Sequence, residues 1–227
     1  MIIYIHGFGG SGEGNKARAF REHFRAKGVG FIAPTLSYNP ELAIKTLDEL
    51  IDSCKEDVFL IGASLGGFYT LYLSQKESVK KAVVINPSIT PWSTLQRAVG
   101  YAPNFYDESC YKWCETHLEI LKNYETKELQ REKLFLLLQK GDELLNPQDA
   151  LIKLKGCKMV VEEGGNHGFD GIERHFEEIE NSCDCSIGVG LKPINKIKSN
   201  YYLFIFIIWI NPFFFYILLC FVLIFFK

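Results

Sequence analysis

Val58-Phe59-Leu60-Ile61-Gly62-Ala63-Ser64-Leu65-Gly66-Gly67 is an apolar run that meets a glycine, carries one serine and passes into a helical pattern. Val58 to Ile61 reads as a strand buried on both faces, and Leu65 to Gln75 reads as the helix that follows it. Between them stands G-x-S-x-G, the signature of a serine on a sharp strand-to-helix turn. Such a turn brings backbone segments so close that side chains must be absent at Gly62 and Gly66. It lifts Ser64 Oγ above the strand end and sets it at a helix N-terminus, whose partial positive charge favours negative charge developing nearby. A glycine-rich turn with an N-capping serine is the plain alternative.

Outward from this turn, short runs rich in Val, Ile and Phe alternate with longer amphipathic stretches, which is the pattern of βαβ units around a parallel sheet. The other strands are expected at Ile2 to Ile5, Gly30 to Ala33, Ala82 to Ile85, Leu134 to Leu138 and Met159 to Val161, giving six in all. Helices are expected at Asn15 to Ala26, Pro40 to Ser53, Pro147 to Leu154 and Ile172 to Glu180. The fold class is therefore α/β, a mostly parallel sheet with helices on both faces. From Pro87 to Glu132 about 45 residues separate two strands, where a few loop residues and one helix are usual. This insertion is rich in aromatic residues, among them Trp92, Tyr101, Phe105, Tyr106, Tyr111 and Trp113. It is read as a helical cap over a pocket, with a small core of its own as the alternative.

A serine hydroxyl is un-ionised at neutral pH and needs a base to become a nucleophile. His167, in Gly164-Gly165-Asn166-His167-Gly168, follows the last strand and can reach the strand ends; His23, His117 and His175 lie within helical patterns as surface or packing residues. The imidazole needs a carboxylate to set its tautomer. Asp142, in Gly141-Asp142-Glu143 after the strand at 134–138, is the first candidate and Glu143 the second. The end of the strand at 82–85 offers only Asn86-Pro87, and Asp170 is too close in sequence to His167 to orient it independently. The order Ser64, Asp142, His167 matches nucleophile, acid and base in α/β-hydrolases. Two N–H groups should stabilise a tetrahedral oxyanion, from Leu65 after the nucleophile and from Phe8 in the loop His6-Gly7-Phe8-Gly9-Gly10. There Gly7 permits close approach, and His6 braces the loop. That glycine-rich loop has neither a P-loop motif nor a dinucleotide fingerprint, so phosphate binding is not expected.

His6-Gly7-Phe8, Gly62 through Tyr69, Asn86-Pro87, Gly141-Asp142-Glu143 and Glu163-Gly164-Gly165-Asn166-His167 together resemble the YqiA/YcfP-type esterase family of small bacterial α/β-hydrolases. The resemblance runs from Ile2 to about Ile179. It implies an esterase or thioesterase of short-chain substrates with Ser64, Asp142 and His167 as its triad. Three readings of function stand: hydrolysis of small carboxylic esters through an acyl-enzyme, hydrolysis of acyl thioesters, and a non-catalytic binding module on the same fold. Loss of a triad member would mark the last, and all three members are present. No metal or cofactor is called for, and the partner expected is a small acyl ester.

The charge balance agrees with this and excludes a polyanion-binding surface. Lys227 is the only charged residue beyond Asn200, so the preceding part carries 24 basic and 27 acidic residues; nucleic acid is not an expected partner. Seven scattered cysteines, without the ligand spacing of a zinc site, and an N-terminus lacking a basic segment followed by a long apolar stretch fit a reducing, cytoplasmic location. Residues 1–182 read as the α/β-hydrolase domain, with the cap insertion at about 88–132; 183–200 read as a basic linker and 201–226 as a hydrophobic tail. Nineteen residues of 201–226 are Leu, Ile, Val or Phe, enough to span a membrane as a tilted or kinked helix despite Asn211-Pro212. Lys192, Lys196 and Lys198 before it outnumber Lys227 after it, which would keep the hydrolase domain cytosolic. A re-entrant hairpin turning at Asn211-Pro212 and a read-through of AT-rich sequence are the other readings of this segment.

Overall fold

Ile2, Ile3, Tyr4 and Ile5 are all buried, because the strand they form lies inside a sheet covered on both faces. Successive side chains of a strand point to opposite faces, and the two cores divide accordingly. Ile2 and Tyr4 join Phe20, Phe24, Phe176 and Ile179 on one face, whereas Ile3 and Ile5 join Leu47, Ile51, Phe68 and Leu71 on the other. The computed structural model describes Met1–Cys183, which belong to one compact unit. From residue 184 onward the expected linker, and the whole tail at 201–226, lie outside the described residues.

In chain order, β1 (Ile2–Ile5) is followed by α1 (Asn15–Ala26), β2 (Phe31–Ile32), α2 (Pro40–Ser53), β3 (Val58–Ala63), α3 (Leu65–Leu73) and β4 (Val79–Ile85). Then come α4 (Pro91–Thr94), β5 (Gly100–Pro103), β6 (Cys110–Trp113), α5 (Glu115–Lys122), β7 (Leu134–Gln139), α6 (Pro147–Lys153), β8 (Lys158–Glu162) and α7 (Phe176–Ser182). The main sheet has six strands in the order β2-β1-β3-β4-β7-β8, all parallel. Both α2 and α6 start from the same local chemistry. Asn39 and Asn146 each accept amide hydrogens of the first turn through the side chain, and each is followed by a proline that has no amide hydrogen to satisfy.

The chain leaves β1 toward β2 and returns on its other side as β3, so the order reverses between β1 and β3. At such a point the connections after the two strands part and leave a crevice at the carboxyl ends of the sheet. The loop at 6–10 and Ser64 flank that crevice. The strands and helices expected from sequence are all present, and several of their ends shift. β2 has only two residues, β3 runs on to Ala63, β4 begins three residues early at Val79, and α3 ends at Leu73. Ile172–His175 is a 3-10 turn, so that α7 begins at Phe176.

The insertion after β4 contains α4 and α5 and, in addition, the antiparallel hairpin β5–β6. Its residues alternate: Tyr101 is exposed, Ala102 buried, Lys112 exposed and Trp113 buried. Asp107 and Asn104 close the turn by accepting the amides of Ser109 and Tyr106 through their side chains. A period of two, hidden among many aromatics, is what a helical reading of this stretch passes over.

Candidate active site

Ser64 sits between β3 and α3 with φ 55° and ψ −120°, a conformation that a non-glycine residue adopts only when its surroundings enforce it. The enforcement is visible at the flanking glycines. A Cβ on Gly62 would lie 2.3 Å from Gly66 O, and one on Gly66 would lie 2.1 Å from Ile5 O. The turn is also held from β4, since Ser64 N–H donates to Ile85 O at 3.0 Å and Ser64 O accepts from Ser88 N–H at 3.0 Å.

Three side chains from three strand ends meet here. Ser64 Oγ is 2.9 Å from His167 Nε2, and His167 Nδ1 is 2.8 Å from Asp142 Oδ2. A carboxylate can only accept, so Nδ1 carries the hydrogen and Nε2 is left as acceptor for the serine hydroxyl. The Asp142 side chain is 2% exposed, and its other oxygen accepts the amides of Leu144 and Leu145 at 2.9 and 2.8 Å. Burial alone would raise the Asp142 pKa, but the hydrogen bonds from His167 and from these two amides outweigh it and hold the carboxyl below its ordinary range. Glu143 takes a different place: its carboxylate accepts the backbone amide of His167 at 2.9 Å and does not face the imidazole. That bond lowers the Glu143 pKa as well.

The loop after β1 packs against the serine, with a Cβ on Gly7 falling 3.0 Å from Ser64 Cβ. His6 Nδ1–H donates to Gly7 O at 2.8 Å and Nε2 accepts from Leu36 N–H at 2.9 Å, so the ring ties the loops after β1 and β2 together. Burial lowers the His6 pKa and keeps the imidazole neutral. The Phe8 ring meets Trp113 and Tyr111 of the insertion edge-on, with centroids 4.9 and 5.8 Å away. Leu65 N–H, at the first position of α3, has no acceptor within its own helix.

Above the three side chains lies a cavity of about 850 Å³. Leu95 and Ala98 of the insertion, Phe105 of the hairpin, and Leu144 and Leu145 after β7 give it apolar walls, and Lys16 and Arg97 bring positive charge to its lining. Sequence reasoning passed over Lys16, whose amine bonds to Gly168 O beside His167 and whose pKa burial lowers. It noted Asn86 only as a strand end without a carboxylate and as part of the family resemblance, and passed over Gln139; both are 1% exposed, and their side chains reach the His167 loop. Their available signal was position, each standing at the C-terminal end of a buried strand. Among the described residues no cluster of three or more His, Cys, Asp or Glu side chains can hold a metal ion. None of the described helices is long and apolar enough to cross a membrane.

The sequence profile of the uncharacterised protein family UPF0227 matches residues 1–182. The UPF0227 protein YcfP of Escherichia coli O9:H4 (strain HS) is 24% identical over 185 residues, covering 79% of this chain and 97% of the relative. A UPF0227 protein of Serratia proteamaculans is 26% identical with the same coverage. Among solved structures, Est1E from Butyrivibrio proteoclasticus with ferulic acid bound superposes with a TM-score of 0.62 at 16% identity, covering 79% of this chain and 86% of that one. Mouse alpha/beta hydrolase domain-containing protein 10 gives a TM-score of 0.64 at 18% identity, over 81% and 88% of the two chains. A monoacylglycerol lipase from Paleococcus ferrophilus gives 0.60 at 17%, over 82% and 94%. At these identities the likeness is one of architecture, and the architecture is that of the α/β-hydrolases.

Proposed function

From a chain that belongs to the UPF0227 family and has the α/β-hydrolase fold, we propose a serine hydrolase of carboxylic esters working through an acyl-enzyme. The observation that carries this reading is the unbroken hydrogen-bonded line from Asp142 through His167 to Ser64 at the floor of the cavity. A binding module has no need of a strained serine hydrogen-bonded to an imidazole that a buried carboxylate orients.

In this reading Ser64 Oγ attacks the acyl carbon while His167 Nε2 takes its proton. The carbonyl oxygen becomes an oxyanion facing the N–H groups of Phe8 and Leu65, and Asp142 stabilises the imidazolium. Collapse breaks the ester C–O bond, and His167 returns the proton to the departing alcohol. Water then repeats the sequence on the acyl-enzyme, releasing the acid and free Ser64. His6, Gly7, Gly62 and Gly66 shape the loops that make this approach possible. No metal or cofactor enters the scheme. A cavity of about 850 Å³ suits substrates bulkier than an acetate ester, and two structural neighbours, Est1E with ferulic acid bound and a monoacylglycerol lipase, are consistent with that. The same reading places residues 1–182 as the catalytic domain in the cytoplasm. The free thiols of Cys54, Cys110, Cys114 and Cys157 fit that compartment.

The test is hydrolysis of an aryl ester series from acetate to octanoate, with acyl thioesters alongside and the Ser64→Ala protein as blank. Ser64→Ala and His167→Ala should each lose about 10³-fold or more in kcat while remaining folded. A fluorophosphonate should label Ser64 and no other serine. Undiminished turnover by Ser64→Ala would overturn the reading.

A further inference from the structure

Asn86 follows directly on β4 and has φ 40°, in the left-handed region that asparagine tolerates better than most residues. Its side chain is buried and fully directed. Nδ2 donates to Asn166 O at 2.9 Å and His167 O at 3.2 Å, and Oδ1 accepts from Gln139 N–H at 2.9 Å. Gln139, the last residue of β7, continues the chain of bonds. Its Oε1 accepts the amides of Asn166 at 3.1 Å and Asp170 at 2.9 Å, while Nε2 donates to Asp170 O at 2.9 Å and Glu162 Oε2 at 2.8 Å. Neither amide can be turned over, because each oxygen faces N–H groups and each nitrogen faces only acceptors.

The segment that carries Asn86 is the same one that grips the serine turn. Ile85 O and Ser88 N–H bond to Ser64 from either side of it. One buried amide therefore measures the spacing between the loop bearing the base and the turn bearing the nucleophile. The Gln139 amide closes the loop from its far side, so that Gly165 admits no Cβ without meeting it at about 2 Å.

We infer that Asn86 and Gln139 are positioning residues, whose paired side-chain amides hold the 166–170 loop in the register that brings His167 Nε2 onto Ser64. This rests on the hydrolase reading for its kinetic consequence, though not for the anchoring itself. Every hydrogen bond of the Asn86 side chain is to backbone, so in Asn86→Asp the introduced carboxyl is the one new titrating group. As a carboxylate it would face the carbonyls of Asn166 and His167; once protonated it again has a hydrogen to donate.

Asn86→Asp should therefore lose kcat/KM relative to wild type by about 10²-fold at pH 8, the scale of a misplaced catalytic group, and the loss should shrink as pH falls toward 5. Gln139→Met keeps the shape and removes both acceptors and donors. It should lower kcat by about tenfold or more with KM within about twofold, and should speed amide hydrogen exchange at Asn166 and Asp170. If Asn86→Asp fails to fold, Gln139→Met carries the test on both readouts. A loss in Asn86→Asp that does not vary with pH would overturn the inference. Unchanged exchange at Asn166 and Asp170 in Gln139→Met, or faster exchange with unchanged kcat, would do the same. If wild type hydrolyses nothing beyond the Ser64→Ala blank, the ester reading falls, while the exchange result still decides whether these amides hold the loop.

Discussion

Ser64 has backbone angles that cost about 1–3 kcal/mol for a residue with a Cβ, and the glycines at 62 and 66 leave that strain no outlet. Ser64→Gly should therefore be inactive yet more stable than Ser64→Ala, by about 1 kcal/mol in urea unfolding, because only glycine relieves the turn. The two neighbouring acids should separate just as clearly. Asp142→Asn leaves an acceptor for the Leu144 and Leu145 amides but lets the imidazole adopt the wrong tautomer, and should lower kcat by about 10³–10⁴-fold. Glu143→Gln still offers an oxygen to the His167 amide and should cost about tenfold at most. The reverse ranking in steady-state kinetics would transfer the role of acid to Glu143.

Elements meet at two places where single changes should be felt. Gly9 has φ 65°, and a Cβ there would lie 2.7 Å from Pro103 O, where the loop after β1 supports the β5–β6 hairpin. Gly9 O also accepts Phe105 N–H at 2.7 Å. Gly9→Ala should thus cost on the order of 1–2 kcal/mol and disturb the hairpin, checked by thermal unfolding and by a change in KM for bulky esters. At the end of β8, Glu162 bonds Arg174, His175 and Gln139 and ties the start of α7 to the sheet. The Arg174 hydrogen bond above all, against some desolvation and with help from Gln139 and His175, lowers its carboxyl from 4.5 to about 2. A depressed carboxyl stabilises the fold fully above its ordinary value and loses that contribution as pH falls through the depressed one. Wild type should therefore exceed Glu162→Gln in stability at pH 7, with the gap closing between about pH 4.5 and 2 in denaturant unfolding.

Across the whole molecule, what the sequence made legible was what periodicity and backbone chemistry encode. Both-face burial marked the strands, and Asn39-Pro40 and Asn146-Pro147 marked helix starts. The G-x-S-x-G turn pointed to Ser64, and the loops after later strands pointed to Asp142 and His167, which the fold brings within hydrogen-bond distance. The hairpin at 100–113 was illegible because its strands are only four residues each and Tyr101, on the exposed face, breaks the apolar-polar alternation that Ala102, Tyr111 and Trp113 would otherwise show. Asn86 and Gln139 were illegible for another reason: neutral amides announce no chemistry until burial and partners are known. Cys183 is fully buried against the core that contains Ile179, so a chain ending after Cys183 should fold with the stability of its parent, while one ending before Phe176 should not. The margins of the sheet carry one more consequence. β2 pairs through only two residues, and the open side of β8 is flanked by the charges of Lys158 and Glu162. A neighbouring copy finds only two paired residues at β2 and five residues bounded by charges at β8 to continue, short edges that discourage edge-to-edge polymerisation of the main sheet.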